Sequence, residues 1–141
     1  MDNSISITFG EPKHGWLPVD FVHQDFQLDF AASDVLNDPI EELYNTVSKL
    51  QDNNSRKVVW WLEPGAYFFE FDKKGQNITL IISETNNLHN EKEEKRVLFT
   101  ITDDKDKILK PFISALKKFS LLTYEENHWP YKLEKTKTQS L

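Results

Sequence analysis

The sequence contains no cysteine, which excludes disulfides, thiolate zinc sites, iron–sulfur clusters and thiol nucleophiles at once. Its four glycines cannot build a phosphate-cradling loop, since Gly10 and Gly15 stand too far apart and no Gly-Lys-Ser/Thr follows. Gly-x-Ser-x-Gly, His-x-His, His-Glu-x-x-His and calcium-loop patterns are all missing, and His14, His23, His89 and His128 are scattered through predicted loops and turns. These gaps leave no metal, no cofactor and no catalytic residue to assign, and a non-enzymatic protein is the expectation. No apolar run approaches the roughly 20 residues that span a bilayer. The start, Met-Asp-Asn-Ser-Ile, has no basic stretch followed by an apolar one, so no membrane partner and a cytoplasmic location are expected.

What is present suits one folded domain: 141 residues, 38% apolar and 13% aromatic. The charge is uneven. Residues 1–52 balance at −8, residues 53–102 at 0 and residues 103–141 at +2. An acidic field repels phosphate backbones, so no direct nucleic-acid contact is expected and a basic partner suits the first third better.

Two-residue alternation marks the strands. Ile5, Ile7 and Phe9 give one over residues 4–9, and Leu17, Val19 and Phe21 repeat the period, as do Phe26, Leu28 and Phe30. Putting the last two sets on one face pairs Val19 with Phe30 and Phe21 with Leu28, and so sets Asp20 opposite Asp29. Gln24-Asp25 is then the tip; neither residue is an ideal type I′ turn former, which leaves a longer loop and a slipped register open. Asn37-Asp38-Pro39 starts a helix over 39–51: Asp38 caps it, Pro39 needs no donor, and Glu41 and Glu42 suit the positive end of the dipole.

The central block reads as a meander, with strands 58–62, 67–71 and 77–82 joined at Pro64-Gly65 and Lys74-Gly75. Its apolar faces match when Val58 pairs with Phe71, Trp60 with Phe69, and Phe69 with Leu80. The opposite face carries the row Trp61, Phe68 and Ile81, which needs a cover or a partner. Residues 83–96 are polar and read as an exposed loop, followed by a strand through Val97, Phe99 and Ile101. Asp103-Asp104 caps a second helix over about 105–122, with Pro111 marking a later start or a kink. Residues 132–141 are polar and expected to fray, leaving 1–131 as a single α+β domain. Its expected architecture is a mainly antiparallel twisted sheet of six or seven strands with two main helices packed on it.

Phe9-Gly10-Glu11-Pro12, Gly15-Trp16-Leu17-Pro18-Val19, Asn37-Asp38-Pro39-Ile40-Glu41-Glu42-Leu43 and Trp61-Leu62-Glu63-Pro64-Gly65-x-Tyr67-Phe68-Phe69 resemble small bacterial proteins similar to immunity proteins of polymorphic toxin and contact-dependent growth inhibition systems. The resemblance spans roughly residues 5–120 and rests on turns, caps and core aromatics, so it carries a role and no functional residue. That role is neutralising a cognate toxin polypeptide. The acidity of the first third adds a basic character to the toxin and makes Asp20, Asp25, Asp29, Glu41 and Glu42 the candidate contacts. Two alternatives stay open: a small-molecule module using Trp61, Phe68 and Ile81, and a small enzyme built on the Asp20 and Asp29 carboxylates.

Overall fold

Alternation of buried and outward side chains draws β1 (Ser6–Phe9), β2 (Trp16–His23) and β3 (Phe26–Ser33) into an antiparallel sheet of order β1-β2-β3. The computed structural model describes residues 4–86 and 95–141. A second antiparallel sheet, of order β4-β5-β6-β7, is built from β4 (Asn54–Trp61), β5 (Ala66–Lys74), β6 (Asn77–Thr85) and β7 (Arg96–Asp104). The α+β class, the seven antiparallel strands and the two main helices are as expected, but the strands divide between two sheets. The division falls where α1 (Pro39–Lys49) separates β3 from β4, which then meet through side chains: the Phe30 ring lies 5.8 Å from Trp60 and 4.8 Å from Tyr67.

The β2–β3 hairpin takes the expected register, with Val19 opposite Phe30, Asp20 opposite Asp29 and Phe21 opposite Leu28. His23 pairs with Phe26, so the tip is the two residues Gln24-Asp25, and Gln24 accepts the positive φ of 52° that the tight turn requires. The meander departs from its expected register by two residues at both hairpins. Val58 faces Phe69 and Trp60 faces Tyr67, while Phe69 faces Ile82 and Phe71 faces Leu80. A two-residue shift leaves every side chain on its original face, so the apolar pattern cannot resolve it; the turn does. The Leu62 N–H donates to the Gly65 carbonyl at 2.8 Å, holding residues 62–65 in the connection so that β5 starts at Ala66 opposite Trp61.

The inner face of the second sheet is the floor of the core: Val58, Trp60, Phe69, Phe71, Leu80 and Ile82 are fully buried. Onto it pack Phe21 from the first sheet, 5.6 Å from Phe69, and Phe112 from α2 (Lys105–Phe119), 5.1 Å from Phe71. α2 begins where the Asp104 carboxylate accepts the Asp106 N–H at 2.9 Å, and Pro111 lies inside it. Residues 132–141, expected to fray, include the short helix α3 (Lys135–Gln139), with Leu133 and Thr138 buried against the body.

Candidate functional site

The hairpin lifts three of the candidate carboxylates onto one structural unit. Leu17, Val19 and Phe21 point inward, so Asp20 and its cross-strand neighbour Asp29 point out, and Asp25 stands exposed at the tip. Like charges set directly across a strand pair repel. The Gln27 side-chain amide offsets part of this by donating to Asp20 Oδ1 at 3.3 Å. Asp29 is exposed and Asp20 half-buried on this open face.

Glu41 and Glu42, on the first turn of α1, face different surroundings. Glu42 Oε1 accepts the Val59 backbone N–H at 2.9 Å, and Oε2 accepts from Asn37 Nδ2 at 2.7 Å. The same Asn37 amide donates to the Val59 carbonyl at 2.9 Å. Both polar groups that Val59 turns away from its sheet are thus satisfied by the start of α1, and Glu42 is committed to holding helix and strand together. Glu41 is exposed, 3.9 Å from the Lys137 ammonium of α3. One position ahead of the helix, Asp38 accepts the Ile40 and Glu41 N–H groups, at 3.1 and 3.3 Å. Burial raises its pKa from 3.8 to about 6 despite those bonds, and the neighbouring Glu41 and Glu42 charges push the same way.

Trp61, Phe68 and Ile81 share the outer face of the second sheet, though not as one row. The shifted register sets Trp61 beside Ala66, Phe68 between Val59 and Ser83, and Ile81 between Glu70 and Thr100. Phe68 is only 3% exposed, and lysines from both sides reach over its ring: Lys57 Nζ lies 5.3 Å and Lys95 Nζ 4.4 Å from the centroid. Lys95 also pairs with Glu70 at 3.1 Å, so its ammonium is shared between that carboxylate and the face of the ring. Trp61 lines a groove of about 350 Å³ with Leu36, Glu63 and Pro64. A larger groove of about 420 Å³ lies elsewhere, among Ile5, Ile101, Ile108, Asp103 and Asp106.

Two features were beyond sequence reasoning. His14 and His128 stand 114 positions apart yet meet: the His14 backbone N–H donates to His128 Nδ1 at 3.0 Å and the rings are 4.7 Å apart. His89 lies outside the described residues. The second feature is the β3–α1 loop, where Val35 and Leu36 are 65% and 52% exposed, a placement that no periodicity announces. Among the described residues no three His, Asp or Glu side chains group as a metal site, and no helix is long and apolar enough to cross a membrane.

No family model matches the sequence, and no curated protein matches it. A chain of the solved CdiA-CT/CdiI toxin and immunity complex from Enterobacter cloacae is similar in fold, with a TM-score of 0.50 at 11% identity. The match covers 81% of this chain and 98% of that one. At such identity the likeness is one of fold.

Proposed function

We propose that this protein is a non-enzymatic immunity-type inhibitor, acting in the cytoplasm, that binds a cognate toxin polypeptide through an acidic surface. The observation that carries the reading is the β2–β3 hairpin, where Asp20, Asp25 and Asp29 stand outside the core with no lysine or arginine bonded to them among the described residues. The fold likeness to a chain of a toxin and immunity complex supports the same role. A carboxylate-bearing hairpin suits a basic cleft of the kind that holds phosphates. It presents anions where the substrate would sit and speeds encounter through long-range attraction. Glu41, exposed on α1 beside Lys137, is a separate candidate contact, whereas Glu42 is committed to holding α1 to β4. The alternatives have less behind them: Phe68 lies under two lysines, and the Asp20 and Asp29 pair stands on an open sheet face.

The test uses the full chain as bait in native lysate at low and then high salt. The expected partner is a basic polypeptide that leaves as salt rises, arrests growth when expressed alone and is tolerated when this protein is co-expressed. A lysate that yields no such polypeptide overturns the reading.

A further inference from the structure

We infer that the β3–α1 loop, together with Trp61 and the Glu63-Pro64 turn, is a second docking surface, which takes an apolar side chain flanked by lysine or arginine on the basic partner proposed above. The inference rests on that reading for the partner's identity but stands on its own geometry. Val35 and Leu36 are among the most exposed large apolar side chains of the described residues, at 65% and 52%. Leu36, Trp61 and Pro64 line one groove of about 350 Å³, with the Glu63 carboxylate beside them.

The loop that presents them is fixed at both ends. The Val35 N–H donates to Ser33 Oγ at 3.1 Å, the Tyr131 hydroxyl donates to the Asp34 carbonyl at 2.6 Å, and Asn37 is tied to Val59 and Glu42. A loop exposing apolar residues through mere slackness would lack such ties. Here the backbone is held while the side chains face solvent, an arrangement that lowers the ordering cost of binding. Apolar groups exposed on a rigid support are a mark of interaction surfaces.

Charge defines the occupant. From His14 to Ser48 the sequence has seven Asp and Glu and no Lys or Arg, and Val35 and Leu36 lie within that stretch, between Asp34 and Asp38. With Glu63 at the groove as well, a neutral apolar group would gain only burial, and an acidic neighbour would be repelled. An aliphatic or aromatic side chain bracketed by cations gains both terms.

The test selects short phage-displayed random peptides on the intact protein, with V35S/L36S as the counter-target and melting temperatures confirming that the variant is folded. Enriched peptides are expected to combine an aromatic or aliphatic residue with Lys or Arg. They should lose about tenfold or more in affinity for V35S/L36S. E63K should weaken the cationic preference, while D20N/D29N should leave binding through this groove in place. Peptides that bind V35S/L36S as well as the parent, or no enrichment at all, overturn the inference. The two readings separate in the lysate: a toxin-like partner held equally well by V35S/L36S overturns this surface and leaves the inhibitor role standing. If wild type captures no such partner, the inhibitor role falls, and the peptide selection still decides the surface.

Discussion

The hairpin carboxylates and the α1 carboxylates contribute alike to the acidity of the first third, yet they do opposite things. Asp20, Asp25 and Asp29 reach outward from a sheet whose inner side is core. Asp38 and Glu42 turn back to collect backbone N–H groups from the helix start and from β4. Among the described residues the first group faces out and takes only the Gln27 amide on Asp20 from the fold, whereas the second is part of what the fold is made of. An acidic segment therefore reports the field around a protein, and only the hydrogen bonds show which charges are available.

The sharpest break in this comparison is E42A, which leaves the Val59 N–H without its acceptor and the Asn37 amide with the Val59 carbonyl alone. Chemical denaturation should show a loss of about 3 kcal/mol, with E42Q recovering about half. An unchanged midpoint would place Glu42 with the free carboxylates. Next in size is the effect of D20N/D25N/D29N on the rate of association with a captured basic partner, expected to fall about tenfold at low salt and much less at high salt.

Asp38 gives the third test, through pH. Its folded value of about 6 lies above the ordinary 3.8, so the stability tied to this group is fully present below about 3.8 and lost as pH rises through about 6. D38N caps the helix nearly as well without a buried charge. It should exceed the wild type at pH 7 by on the order of 1 kcal/mol, allowing for solvent screening, with the advantage vanishing toward pH 4. An advantage that does not change with pH would show that Asp38 is not the titrating group. Removing the cross-strand repulsion with D20N/D29N should add up to about 0.5 kcal/mol at low salt and nothing measurable at high salt. Smallest of all, E41Q loosens an exposed pair with Lys137 and should move stability by less than about 0.5 kcal/mol, the level at which surface ion pairs vanish into error.

Much of the fold could be read from the chain because its local signals agree with one another. The Asp38 cap, Pro39 and the stripe through Ile40 and Leu43 placed α1, and the facing apolar sets of β2 and β3 fixed both their register and the Asp20 and Asp29 pairing. The β4–β5–β6 register could not be fixed that way, since a pattern of period two is blind to a slip of two. The turns decide it: the bond from Leu62 to Gly65 for β4–β5, and the two-residue tip between Lys74 and Asn77 for β5–β6. Nor could the sequence separate Glu41 from Glu42. They are neighbours on one turn, and only the position of β4 makes the second an internal ligand and leaves the first in solvent. The docking of His128 on His14 and the outward stance of Val35 and Leu36 likewise depend on which distant segments meet.

The bond from Glu42 and Asn37 to Val59 also bears on how the protein behaves in a crowd of its own copies. β4 is the last strand on its side of the second sheet, and an open strand there would be a template for the strand of another chain. Capping both outward groups of Val59 removes a rung from that template. At the opposite margin, the β6–β7 pairing slips between Ile82 and Ser83, and β7 opens on Arg96 directly after Lys95, two further obstacles to stacking. Blunted at both margins, the second sheet offers another copy of the chain few unpaired groups to build on, which lowers the risk of edge-to-edge stacking at high concentration.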